Sequence, residues 1–170
     1  NTLKLEADIV EKPNKIYHIL TDTGFFNIDG HKLRDYNSAI ENILDIRDKK
    51  KLTSYIMKNK PQFIFHLAAQ PLILDGYKEP YKTYTINTLG TLNILEISRK
   101  SKFVRSLICV TSDKCYESNF STKGFKETDR LGGIDPYSGS KAAAEIIIKT
   151  YIESYQKKQK LWCIDQKKYV

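Results

Sequence analysis

Two short, uninterrupted apolar runs constrain this chain more than any other feature: Phe63-Ile64-Phe65-His66-Leu67 and Leu107-Ile108-Cys109-Val110. Apolar runs of strand length that do not alternate with polar residues are typical of strands buried on both faces of a parallel sheet. Between them, Thr88 to Lys100 carries Leu89, Leu92, Ile94, Leu95 and Ile97 and reads as an amphipathic helix. Upstream, Arg47 to Asn59 reads as a helix with Leu52, Tyr55 and Ile56 on one face, stopped by Lys60-Pro61. A strand candidate, Ala39 to Leu44, precedes it. Downstream, Ser138 to Gln156 is a long helix containing Ala142-Ala143-Ala144 and Ile146-Ile147-Ile148. This order predicts βαβ units, hence an α/β fold: a doubly wound parallel sheet with helices on both faces.

In such sheets the ligand sits beyond the carboxyl ends of the strands. Asp45, Ala68-Ala69-Gln70 and Thr111-Ser112-Asp113-Lys114 fall there. Before residue 39 the pattern is weaker. Lys15 to Leu20 fits a strand, and Thr23-Gly24 and Asp29-Gly30 mark turns. The expected division is an N-terminal segment 1–38, a main domain 39–158 and a tail 159–170.

The length of 170 residues suits one domain with a sizeable core. No apolar run approaches the roughly 18–20 residues that span a bilayer, so no membrane role is expected. Lys and Arg number 28 against 20 acids, a net charge of +8. The excess is scattered along solvated helix faces, densest at Lys157-Lys158-Gln159-Lys160; it suits anionic small molecules such as nucleotides equally well, and no nucleic-acid partner is expected. Cys109, Cys115 and Cys163 form no C-x-x-C pair, which predicts reduced thiols and a cytoplasmic protein. His18, His31 and His66 make no metal-ligand cluster, and His66 reads as a core histidine.

The chemistry concentrates at Tyr137 and Lys141, spaced i, i+4 so that both project from one face of the last helix. A phenol is a poor base at neutral pH, and a neighbouring ammonium favours its ionised form. Such a pair can exchange a proton with a sugar hydroxyl while hydride moves to a nicotinamide. The spacing recurs by chance in a lysine-rich chain; its position, opening a helix after a buried strand, gives it weight. Thr111-Ser112-Asp113-Lys114 is either a polar turn with a helix cap or a catalytic group. In the second case Ser112 holds the substrate hydroxyl, Asp113 is a general acid and Lys114 lies beside the sugar. Asp45-Ile46 is a polar strand end or an adenine-edge contact, and Leu67-Ala68-Ala69 offers small side chains past which a pyrophosphate or ribose can approach.

Together these residues resemble the extended short-chain dehydrogenase/reductase family, over about residues 43 to 156. His66-Leu67-Ala68-Ala69-Gln70-Pro71-Leu72 looks like that family's cofactor strand. Asn87-Thr88-Leu89-Gly90-Thr91 looks like its N-x-x-G-T helix, and Asp135-Pro136-Tyr137-Ser138-Gly139-Ser140-Lys141 like its active-site helix. Within the family, Thr111 to Glu117 with Leu131 to Tyr137 look like the sugar-nucleotide 4,6-dehydratases, those acting on CDP-glucose in particular. The resemblance implies a partial Rossmann-like fold and NAD as cofactor. Asp45, Ile46, Leu67, Ala68, Ala69, Gln70, Tyr137 and Lys141 would bind it. Ser112, Asp113, Lys114, Tyr137 and Lys141 would be catalytic. It also implies a nucleotide-sugar substrate and a homo-oligomeric full-length enzyme. The reaction would be an internal redox cycle: oxidation at C4, loss of water across C5–C6, and return of hydride to C6. An epimerase or reductase of the same family, or a non-catalytic nucleotide- or partner-binding remnant, are the alternatives. The family's glycine-rich first turn and its sugar-nucleotide domain are not found. The expectation is a fragment with little turnover on its own.

Overall fold

The computed structural model describes residues 16–21, 24–29, 44–117 and 124–155. Four strands, β1 (Ile16–Thr21), β2 (Gly24–Asp29), β3 (Phe63–His66) and β4 (Ser106–Cys109), form one sheet in the order β2-β1-β3-β4. The two apolar runs are β3 and β4. They pair parallel, from Phe63 opposite Ser106 to His66 opposite Cys109. The strand expected at Lys15–Leu20 is β1, which pairs parallel to β3 on its other side.

β2 departs from the expected pattern by running antiparallel to β1, with Thr21 opposite Gly24. The reason is chain length. Only residues 22 and 23 separate the two strands, whereas a parallel return needs a crossover of about a dozen residues or more. The sheet is therefore a parallel array with one antiparallel edge. β1 and β2 share the sheet of β3 and β4. Of the Ala39–Leu44 strand candidate, residues 39–43 lie outside the described residues.

Helix α1 (Lys49–Asn59) starts later than its apolar periodicity suggests, because Asp48 caps it: its carboxylate accepts from Lys51 N at 3.0 Å. It ends at Lys60, which takes the left-handed conformation (φ 49°) and donates its N–H to Ile56 O at 2.8 Å, just before Pro61. After β3 come α2 (Ile73–Lys78) and α3 (Pro80–Tyr84). A single π turn, Thr85–Leu89, then leads into α4 (Gly90–Lys100). The last described helix, α5 (Pro136–Tyr155), follows a 3-10 turn at Asp113–Cys115. No described helix is long and apolar enough to cross a membrane.

Alternate strand residues Ile64, His66, Leu107 and Cys109 are buried, while Phe63, Phe65, Ser106 and Ile108 are half-buried. Ile64, Leu107 and Cys109 pack with Leu52 and Ile56 of α1, Ile94, Leu95 and Ile97 of α4, and Ile148 of α5. α4 packs against both α1 and α5. Tyr151 ties α5 to α4 by donating to Glu96 Oε2 at 3.1 Å. Hydrogen bonds from Arg99 first of all, then Lys100 and Tyr151, hold the Glu96 carboxyl down to about 2 against the opposing effect of burial. Gly90 is required where α4 begins: a Cβ there would stand 2.7 Å and 2.9 Å from two Ile46 side-chain carbons. The absent side chain lets the Asp45-Ile46 segment lie directly on the helix.

Candidate active site

The start of α5 is set by Asp135, whose carboxylate accepts from Ser138 N at 3.0 Å and Ser138 Oγ at 2.6 Å. Pro136 takes the first helical position, where a missing N–H is no loss. Tyr137 and Lys141 follow one turn apart, 9% and 6% exposed. The backbone of α2 lies against the tyrosine, since a Cβ on Gly76 would stand 3.2 Å from Tyr137 N.

Asn87, in the middle of the π turn, joins this helix start to the loop leaving β3. Its Oδ1 accepts from Gln70 N at 2.7 Å, and its Nδ2 donates to Gln70 O at 3.1 Å and to Ser140 Oγ at 2.9 Å. Ser140 Oγ in turn donates to Tyr137 O at 2.7 Å, and Thr88 Oγ1 donates to Ser140 O at 3.0 Å. Ala68, Ala69 and Gln70 are thereby brought to the Tyr137 end of α5, all buried, while Leu67 is exposed. π turns of this kind are frequent at functional sites.

Beyond β4, Ser112 is half-buried and caps the 3-10 turn, accepting from Lys114 N and donating to Asp113 Oδ1, both at 3.2 Å. Asp113 and Lys114 are exposed and lie 3.6 Å apart as an ion pair. The turn packs on α5, where Cys115 and Tyr116 meet Ala142. Ser112 thus caps this turn, and the same geometry sets its hydroxyl and the Asp113 and Lys114 charges beside α5.

Lys141 is surrounded by titratable groups. Burial pushes its ammonium below the ordinary lysine value, and the nearby Cys109, Glu145 and Cys115 push it back up. His66 feels the same pocket: burial, then the Lys141 charge, drive its imidazole down to about 3. The ring is neutral. Its Nε2 lies 2.8 Å from Thr91 Oγ1, and that hydroxyl donates to Asn87 O at 2.7 Å, so Nε2 carries the proton. The histidine is a core residue that braces α4, as its place in an apolar run suggests.

A pH dependence follows. The unfolded chain binds a proton at His66 below about 6.5 and the folded chain does not until about 3. Stability therefore rises with pH between those values and falls on acidification. In urea unfolding at stepped pH, His66→Gln is expected to flatten that slope. The Glu96 contribution, lost between about 4.5 and 2, should remain. Equal slopes in both proteins would exclude His66 as the titrating group.

Asp45 and Ile46 sit apart from this cluster, at the start of α4. Arg47 clamps the half-exposed Asp45 carboxylate through Nε at 2.9 Å and 3.0 Å and holds its carboxyl below the usual range. The Ile46 carbonyl accepts from Asn93 Nδ2 at 3.1 Å. One residue beside Lys141, Glu145, escapes motif reading. Thr111 Oγ1 donates to Glu145 Oε1, linking the end of β4 to α5. Glu145 is buried although ionisable, and its signal was present: it is the lone acid between Ala142 and Ile148, four residues beyond Lys141.

Comparison with known proteins bears on the family and the fold. A family model described as GDP-mannose 4,6 dehydratase matches residues 9–162. The CDP-glucose 4,6-dehydratase of Salmonella typhimurium is 40% identical over 111 residues, 65% of this chain and 31% of that protein. The chain spans about a third of the length of the curated relatives it matches. A solved UDP-glucose 4-epimerase from Brucella ovis in complex with NAD superposes with a TM-score of 0.64 at 25% identity, over 76% of this chain and 39% of its own. DesIV, a dTDP-glucose 4,6-dehydratase from Streptomyces venezuelae, shares the fold at 22% identity and a TM-score of 0.62, over 72% of this chain and 36% of its own. With a partial Rossmann-like sheet, the Tyr137-Lys141 helix and a family match over most of its length, the chain belongs to the GDP-mannose 4,6 dehydratase family.

Proposed function

We propose that this chain carries the catalytic segment of an NAD-dependent sugar-nucleotide 4,6-dehydratase that converts CDP-glucose to CDP-4-keto-6-deoxyglucose. The observation that carries the reading is the placement of Tyr137 and Lys141, one turn apart and buried at the start of α5, beside the Ser112–Cys115 turn. The 40% identity to a CDP-glucose 4,6-dehydratase supports the choice of nucleotide. The nicotinamide end of NAD fits: Ala68 and Ala69 are small and buried next to the helix that bears Tyr137 and Lys141. The pyrophosphate end fits less well, because β1 is followed after two residues by β2 and not by a helix N-terminus.

NAD, when bound, supplies the acceptor and later the donor of a hydride. The chain's own residues handle protons and position. Tyr137 takes the proton of the sugar 4-hydroxyl, and Lys141 stabilises the anionic form of the phenol that accepts it and hydrogen-bonds the cofactor ribose. Ser112 orients that hydroxyl. Asp113 gives a proton to the hydroxyl that leaves C6, while the C5 hydrogen is lost as a proton to a base, for which Lys114 beside it, as the neutral amine, is the candidate.

The test is incubation of the protein carrying this chain with CDP-glucose and NAD. A 4-keto product, seen by its absorbance in base, is expected. A family epimerase would return a C4 epimer and no keto sugar, and a non-catalytic remnant would bind nucleotide and convert nothing. Either result would replace the dehydratase reading.

A further inference from the structure

We propose that Glu145 is a positioning residue for Lys141: held by Thr111 at the end of β4, it fixes a carboxylate one helical turn beyond the lysine and keeps that lysine in place as a cation. The inference rests on reading Tyr137 and Lys141 as the proton-handling pair. It adds a second turn of the same helix to the site.

Three observations converge. Glu145 lies four residues after Lys141 on α5, so the two side chains share one face. Both are buried, each 6% exposed, and a buried charge that lacks a countercharge is expensive. The carboxylate is not left to swing, because Oε1 accepts from Thr111 Oγ1, the residue just before Ser112. Thr111 therefore connects the strand end that presents the Ser112 turn to the helix that presents the lysine.

The groups that face Lys141 are named by element: His66 on β3, Cys109 on β4, Cys115 on the 3-10 turn, and Glu145 on its own helix. His66 is neutral and repels the ammonium only when protonated. The two thiols carry charge only as thiolates. Of the four, Glu145 is the one carboxyl group. Burial alone works against the charged lysine, and the carboxylate opposes it.

The experiment is NMR titration of the isotopically labelled Lys141 side chain in the full chain, without substrate. Glu145→Gln keeps the acceptor for Thr111 and removes the charge. It is expected to lower the Lys141 midpoint by about one pH unit. Glu145→Asp should recover part of the shift. Glu153→Gln, which alters an exposed acid 3.9 Å from Lys149, should leave the midpoint in place. If Glu145→Gln does not fold, Thr111→Val tests the leash with the charge intact, and a smaller fall in the same direction is expected. A Lys141 midpoint unmoved in these Glu145 and Thr111 variants overturns the proposal. The readout needs no turnover, so its failure is distinct from failure of the dehydratase reading, which the keto-product assay reports.

Discussion

Replacing Tyr137 with phenylalanine is expected to slow oxidation of the sugar nucleotide by about a hundred- to ten-thousand-fold, the range a positioned proton acceptor contributes. The change removes one atom. The ring still fills its buried place against the backbone of Gly76, and the Tyr137 carbonyl still accepts from Ser140 Oγ. Fold and nucleotide binding should therefore survive, and only the chemical step should fail. Single-turnover formation of reduced nicotinamide measures that step, and calorimetric titration with CDP-glucose checks that binding is kept. A variant that oxidises substrate at the wild-type rate would remove Tyr137 from the reaction. Lys141→Met should differ, weakening cofactor binding as well as the rate, because the proposal gives that residue two tasks.

Asn87→Ala should destabilise the fold by about 3 kcal/mol, since it strands buried polar groups at about 1–3 kcal/mol each. The amide group of Asn87 satisfies Gln70 N, Gln70 O and Ser140 Oγ, and Asn87 is 2% exposed. Water cannot easily replace those partners. Asn87→Asp is the sharper probe. It keeps the acceptor for Gln70 N and turns an oxygen toward Gln70 O, so it should be no less damaging than alanine. Urea unfolding with a shared m-value would measure both. Thr150→Ala, on an exposed turn of α5, should change stability by less than about 0.5 kcal/mol. If Asn87→Ala matched it, the Gln70 loop would have another anchor. Beyond stability, the loss should loosen Ala68–Gln70 from α5, so that the fraction still folded binds cofactor less tightly.

These two residues differ in how visible they are before folding. Tyr137 stands out because its spacing to Lys141 and the Asp135-Pro136 cap ahead of it are local. Neighbours within one turn determine where its side chain projects. Asn87 belongs to a recognisable N-x-x-G-T stretch, yet its task depends on Gln70 and Ser140, which are 17 and 53 residues away. A π turn also places it, and apolar periodicity predicts an ordinary helix starting near Thr88. Glu145 is the same case: its spacing to Lys141 is local, but its partner Thr111 is 34 residues distant.

The strand and helix order was written in apolar periodicity, because burial selects side chains at spacings set by each element's geometry. β3, α4, β4 and α5 appear within a few residues of where that pattern puts them. The sequence by itself therefore determined the α/β class, the parallel pairing of the two apolar runs and the helix that carries Tyr137 and Lys141. Tertiary structure alone decided that Asn87 joins the Gln70 loop to Ser140 and that Thr111 reaches Glu145. The physical reason is range. Periodicity and caps act within a turn or two of chain, whereas buried hydrogen bonds and charge pairs are settled by whichever distant groups the packed core brings within about 3 Å.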